Sequence, residues 1–302
     1  MLSQTSEPAE STFDTSRLST CSIALNDRSA DQAFAAIADA GYTKVEVHEK
    51  VHFSLFSDEC DHVALKETAQ KHGLQISGLA TYVGGGLDGR EIAFGYHDWI
   101  VDNAQRFTSV GFASNRPAEL EEEFRQMKQA INLAAYFGAR TVRVVPGDDR
   151  PENIETLVPW FKRSADYAAE KQVVLCVENH GDRIAGTPDL CLELSEKIES
   201  PYFGILYEPG NLMNDTGTDY KRALLTIRDH IRHIHVKDCK RVGDGYELQQ
   251  FGEGTIDFPW IVEQLDAAGY DGDIATEFEL HDMRPDEGVK RFYDDFVRLF
   301  QS

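Results

Sequence analysis

The residues with the most chemistry in them lie in Arg232-His233-Ile234-His235-Val236-Lys237-Asp238. Side chains on a strand repeat every two residues, so His233, His235 and Lys237 share one face, opposite Ile234 and Val236. A face with two imidazoles and an ammonium makes a poor core and suits a metal or an anionic oxygen. By itself the stretch reads equally well as an edge strand with solvated polar residues. Three further stretches shift that balance. Val173–His180 ends in Glu178-Asn179-His180, and Phe203–Glu208 ends in Glu208 ahead of Pro209-Gly210-Asn211. Asp273–Glu279 carries Glu277 and Glu279 two residues apart on one face. A lone carboxylate at a strand end is ordinarily a helix cap or a solvated residue; four consecutive strands that each end in a ligand-type residue form a set. Clustered buried carboxylates need a counter-charge to stay ionised together, and a divalent cation is the simplest one. Three carboxylates and one imidazole, with positions open to water or substrate, suit Mn2+, Mg2+ or Co2+. Structural zinc fits less well, because no thiolate takes part.

Such a set needs a scaffold that gathers strand ends. The chain supplies an alternation of strands and helices. Expected strands are Leu18–Leu25, Lys44–Lys50, Gln75–Val83, Thr141–Pro146, Val173–His180, Phe203–Glu208, the histidine stretch and Asp273–Glu279. Between them the helical spacing predicts helices from about Asp31 to Gly41, and over Asp61–His72, Glu119–Gly138 and Asn153–Lys171. Further helices are expected over Pro188–Ile198, Tyr220–Ile231, Phe258–Ala268 and Glu287–Phe300. Eight such units imply parallel strands with right-handed crossovers, closing as a (β/α)8 TIM barrel. An open doubly wound sheet is disfavoured, since no G-x-G-x-x-G follows the first strand. Active sites of such barrels lie at the C-terminal ends of the strands, where these polar residues fall.

One segment breaks the rhythm. Gly84–Pro117 opens with three glycines and carries Phe94, Tyr96, Trp99 and Phe107. A loop this long is expected to be a lid or a substrate-side excursion after strand three. The triple glycine is not a phosphate loop, because no G-x-x-x-x-G-K-[ST] follows. Residues 1–17 are rich in Ser, Thr and Glu, lack an apolar signal region, and are expected to form a disordered arm ahead of a single catalytic domain over 18–302.

Composition bounds the partners. With 52 acidic against 30 basic residues, the net charge of −22 repels nucleic acid and anionic membranes. No apolar run approaches the roughly 18 residues that cross a bilayer. Five widely spaced cysteines without a C-x-x-C fit reduced thiols in a cytoplasm. The expected partner is therefore a small molecule.

The motifs VENHG (Val177–Gly181), YEPGNL (Tyr207–Leu212), HIHVKD (His233–Asp238), FGEGTIDF (Phe251–Phe258) and GYDGDIATEFE (Gly269–Glu279), with GYTKVEV (Gly41–Val47), span most of the chain. In order and approximate spacing they resemble the sugar phosphate isomerase/epimerase-like family of xylose isomerase-type TIM barrels. The resemblance implies one divalent cation, Mn2+ foremost, held by Glu178, Glu208, His235 and Glu277. The family usually has Asp where this chain has Glu208. The resemblance also implies acid/base roles for Glu178 and Glu277. Lys237 is read as an oxyanion or substrate contact. His233 is left a structural role. His48, beside Glu46 on one face, is read either as a sugar or proton contact or as a structural histidine. Arg143 is read as a substrate contact or the partner of a barrel carboxylate. His180 is expected to orient Glu178 or touch substrate, with Asn211 and Glu279 as further substrate contacts.

The implied reaction is isomerisation or epimerisation of a ketose or keto-sugar through an enediolate. A lyase or dehydratase outcome, and a sugar-binding barrel without catalysis, are the alternatives. No phosphate loop and no strand-end cluster of Arg or Lys is present, so a neutral sugar is expected. Relatives of this kind often form homo-oligomers.

Overall fold

A computed structural model describes residues 13–49, 52, 60–85, 111–280 and 283–301. Eight short parallel strands close into a barrel: β1 (Leu18–Cys21), β2 (Lys44–His48), β3 (Gln75–Ala80), β4 (Thr141–Val144), β5 (Val174–Glu178), β6 (Phe203–Tyr207), β7 (Ile231–Val236) and β10 (Ile274–Thr276). Strand β1 pairs with β2 on one side and β10 on the other, which completes the ring. All eight expected strands are present. Most end earlier than the sequence pattern predicts, because the alternation runs on into loops that leave the barrel rim.

The outer layer comprises α1 (Ala30–Ala40), α2 (His62–Lys71), α3 (Pro117–Phe137), α4 (Ile154–Lys171), α5 (Pro188–Ile198), α6 (Pro209–Thr216), α7 (Tyr220–Ile227), α8 (Phe258–Ala267) and α9 (Pro285–Gln301). Each forms for a local reason. Ser29 and Gln32 make a reciprocal capping box for α1, and Asp61, Asp219 and Asp257 cap α2, α7 and α8. The apolar faces of these helices meet outward-facing strand residues such as Val45, Val47, Leu175 and Ile205 in one continuous core. A separate small apolar cluster contains Cys21, Ile23 and Ala80.

Two elements depart from the sequence reading. Helix α6 starts directly at Pro209, where only a loop is expected. After β7 the chain forms an antiparallel hairpin, β8 (Asp238–Val242) with β9 (Gly245–Gln249). A two-residue Gly243-Asp244 connection joins its strands, a hairpin signal that the sequence carries. Residues 1–12 of the expected arm lie outside the described residues; Phe13 is buried against Phe296 and Phe300. Phe94, Tyr96, Trp99 and Phe107 of the expected lid also lie outside the described residues. No helix among those described is long and apolar enough to cross a membrane.

Two register slips lie beside the polar interior. Between Val45 and Glu46 the β2–β3 register skips Ser77, and between Ile205 and Leu206 the β6–β7 register skips Arg232. Such bulges re-aim neighbouring side chains. Here they precede Glu46 and His233.

Candidate active site

His235 stands at the centre of the polar residues and is fully buried. Its Nδ1 lies 3.3 Å from Glu277 Oε2 and 3.5 Å from Glu178 Oε1. On the other side of the ring, Nε2 lies 2.6 Å from Glu46 Oε2. The three expected residues on β5, β7 and just after β10 therefore do converge, as alternation along three strands requires. Glu277 follows β10 directly, and its backbone N–H donates to the Val236 carbonyl, which sets its height against His235.

Each carboxylate has its own supports. Arg143 Nη1 donates to Glu178 Oε2 at 2.9 Å, and Asn211 Nδ2 donates to Glu178 Oε1 at 3.1 Å. Lys237 Nζ stands 2.7 Å from Glu277 Oε2, 2.6 Å from Glu279 Oε2 and 3.2 Å from Asn211 Oδ1. Burial alone would push the Glu178 and Glu277 carboxyls up. Arg143 and His235 outweigh it at Glu178, and Lys237 and His235 at Glu277, so both are held well below the usual carboxylate range. Burial works against the charged form of His235 as well, but Glu46 and Glu277 raise it well above its ordinary value.

His48 takes a place beside Arg143. Its Nε2 accepts from Arg143 Nη2 at 3.3 Å and lies 3.4 Å from the Tyr82 hydroxyl. Burial and the Arg143 charge push its pKa down to about 3, so the ring is neutral. With Nε2 accepting, the proton of that neutral ring is on Nδ1. Arg143 also donates to the Thr81 carbonyl and lies over the Tyr82 ring. The structure thus gives Arg143 the carboxylate partner that was one of its two expected roles.

Two expected residues stand elsewhere. Glu208 does not join Glu178, His235 and Glu277. It is the N-cap of α6: its carboxylate accepts from Gly210 N at 3.0 Å, Asn211 N at 2.5 Å and Lys237 N at 3.2 Å. Three backbone donors take three of the about four lone-pair sites of that carboxylate, two on Oε1 and one on Oε2. Burial pushes its carboxyl up to about 7, against the pull of Lys237 and the Asn211 N–H. His180 does not orient Glu178. Its ring is more than half exposed and pairs with Asp215 at 2.9 Å; Arg143 and Asn211 hold Glu178 instead. Asp238 is structural too. Its carboxylate accepts from the backbone N–H groups of Cys239, Gly252, Gly254 and Ile256, which pins the FGEGTIDF loop. A Cβ on Gly254 would lie 2.0 Å from Asp238 Oδ1, so the close approach requires glycine there.

Sequence reasoning missed the part taken by Glu46. The available signal was its place beside His48 on the polar face of KVEVHEK. Its partner lies across the barrel on β7, which no local spacing reports.

The donor set fits a divalent cation. Glu178, His235 and Glu277 each offer a buried ligand atom, all within 4.8 Å of one another. His235 Nδ1 and Glu277 Oε2 have no hydrogen bond of acceptable geometry among the described residues, although Lys237 stands close to the latter. Two ligands at about 2.1 Å from a metal stand about 3.0–3.4 Å apart; Nδ1 and Glu277 Oε2, at 3.3 Å, lie within that range, and Nδ1 and Glu178 Oε1, at 3.5 Å, lie just beyond it. Glu46, Glu178, Glu208 and Glu277 are buried; Arg143 pairs with Glu178 and the Lys237 ammonium with Glu277.

Fold and site together define a class. Residues 34–293 match the family model described as xylose isomerase-like TIM barrel, and the chain belongs to that family. Within it the chain is similar to an inosose dehydratase of Geobacillus thermodenitrificans, 29% identical over 143 residues. That match covers 42% of this chain and 48% of the relative, so the chain spans about half the length of that curated relative. Two solved structures share the fold. The 3-keto-D-glucoside 4-epimerase of E. coli superposes with a TM-score of 0.68 at 16% identity, covering 94% of this chain and 99% of the other. A xylose isomerase-like TIM barrel protein from Mycobacterium smegmatis in complex with magnesium gives a TM-score of 0.68 at 16% identity, covering 91% and 89%.

Proposed function

We propose that this chain is a divalent-cation-dependent isomerase or epimerase of a keto-sugar, working by proton removal next to a carbonyl. One observation carries the reading: the buried ligand atoms of Glu178, His235 and Glu277 converge, and His235 Nδ1 has no hydrogen bond among the described residues. The named activities of a dehydratase and a keto-glycoside epimerase among similar proteins support the substrate class. The magnesium complex of another similar barrel supports the cation.

When bound by Glu178, His235 and Glu277, a divalent cation supplies Lewis-acid polarisation of a carbonyl and its neighbouring hydroxyl. The side chains do the rest. Glu178 and Glu277 approach His235 from separate strands; Arg143 beside Glu178 and Lys237 beside Glu277 favour their ionised forms. One removes the proton from carbon and becomes the acid; the other, having taken a proton from solvent beforehand, returns it to the opposite face, and exchange with solvent resets both. Lys237, buried at the rim, donates to the oxygen on which negative charge develops. Asn211 and Arg143 orient Glu178, and Glu279 anchors Lys237. The neutral His48 accepts from Arg143 and so helps to hold the guanidinium that orients Glu178.

The inosose dehydratase relative favours a second reading. With a leaving group β to the carbonyl, loss of the same proton ends in elimination. One experiment separates the outcomes. Protein loaded with Mn2+ is incubated in deuterium oxide with ketoses, inososes and 3-keto-glycosides and followed by NMR. Deuterium beside the carbonyl together with a new stereoisomer or isomer is the expected result. An unsaturated product selects the dehydratase reading. Protein that binds Mn2+ yet gives neither exchange nor product across the panel contradicts both.

A further inference from the structure

Glu46 has no part in the reaction just described, yet it is fully buried beside the central histidine. Its Oε2 is 2.6 Å from His235 Nε2 and its Oε1 is 3.3 Å from His233 Nε2. His235 therefore belongs to two groups of ligand-type residues, Glu46/His233/His235 and Glu178/His235/Glu277. A neutral imidazole has one nitrogen lone pair, so the ring serves a cation on one side only. Distance decides which. Ligand atoms of a single cation stand about 3.0–3.4 Å apart, and 2.6 Å between Nε2 and Oε2 is too short for that. It is the length of a charge-assisted hydrogen bond. The Nδ1 side has the wider spacing.

Resting on the cation site proposed above, we infer that Glu46 is a positioning residue: it accepts the Nε2–H of His235, fixes that tautomer, and turns the Nδ1 lone pair to the cation between Glu178 and Glu277. His233 Nε2 stands 3.3 Å from the other oxygen of the Glu46 carboxylate, without a hydrogen bond of acceptable geometry among the described residues. The ring of His233 meets that of His235 edge-on, at 5.3 Å and 78°. The backbone makes room for this arrangement. A Cβ on Gly78 of β3 would come within 3.2 Å of Glu46 Oε1 and 2.6 Å of Thr141 Oγ1. The skipped Ser77 just before it is anchored through its hydroxyl to Ser19 at 2.7 Å. The bulge and the bare glycine together open the slot in which the Glu46 carboxylate lies. A carboxylate behind a metal-bound imidazole raises the basicity of the ligand and holds its ring.

The test uses Zn2+ as a diamagnetic probe on the whole chain. In 15N-labelled wild type loaded with Zn2+, His235 is expected to keep its proton on Nε2 and to carry the metal on Nδ1. Glu46→Gln is expected to bind Zn2+ and Mn2+ about 10–100-fold more weakly, with an altered Nε2–H resonance of His235. The wild-type spectrum needs no substitution, so a variant that fails to fold does not shelter the inference. Metal on Nε2 of His235, or a folded Glu46→Gln with unchanged affinity and an unchanged His235 resonance, overturns the role of Glu46 and leaves the cation site standing. A wild type that takes up neither ion overturns the site and this inference with it.

Discussion

At the scale of single residues, Lys237 serves charge on the substrate and not the cation in the proposed mechanism. It faces Glu277, Glu279 and Asn211 in a pocket where it is 5% exposed. Lys237→Met removes one donor to a developing oxyanion, so kcat falls about 10²–10³-fold. Mn2+ binding is kept or tightened, since Glu277 loses a competing cation; steady-state kinetics beside calorimetry checks both. Breaking the buried pair also destabilises the metal-free protein, by about 3–5 kcal/mol. His48 gives a pH prediction. The unfolded imidazole titrates near its ordinary 6.5 and the folded one near 3, so the unfolded chain takes the proton first as pH falls. The stability from neutral His48 is complete above pH 6.5 and is lost between 6.5 and 3. Its ring resonances hold constant from about pH 7 to about pH 5, whereas an exposed histidine would shift.

At the scale of elements, Glu208 separates a cap from a ligand. Its carboxylate holds the first turn of α6 and the backbone N–H of Lys237. Glu208→Gln keeps some of those bonds, so stability falls by about 1–2 kcal/mol. Mn2+ affinity stays within about threefold of wild type, measured by calorimetry. A loss as deep as that of Glu277→Gln would make Glu208 a ligand. This residue also marks the limit of what the sequence tells. Glu178, His235 and Glu277 were legible, because strand periodicity and strand-end location bring them to one rim. The sequence Glu208-Pro209-Gly210 has two physical readings, a strand-end ligand and an N-cap before a proline at the first helical position. In the structure the start of α6 gives Glu208 the N-cap place. Likewise the pairing of His180 with Asp215 and the reach of Glu46 across the barrel are tertiary facts, without any trace in local spacing. The eight barrel strands were legible from alternation and the β8–β9 hairpin was passed over, although Gly243-Asp244 announces its turn.

At the scale of the whole molecule, the charge of −22 sits on a fold whose family is set by its motifs. Surplus negative charge repels itself in the compact state. Raising NaCl from about 20 mM to about 500 mM screens that repulsion and raises the midpoint of thermal unfolding, as read by circular dichroism. An unchanged or lower midpoint would mean that local ion pairs dominate the surface. The same surplus attracts divalent cations without specificity, so a binding measurement must resolve one site from the surface.

The most direct measurement is a Mn2+ titration of chelator-treated protein, read by electron paramagnetic resonance at about 0.15 M salt to suppress surface binding. Wild type is predicted to bind one tight ion per chain, and Glu178→Gln, His235→Gln and Glu277→Gln, each shown to be folded, to lose it. No tight ion in wild type, or a tight ion retained in all three variants, would contradict the account.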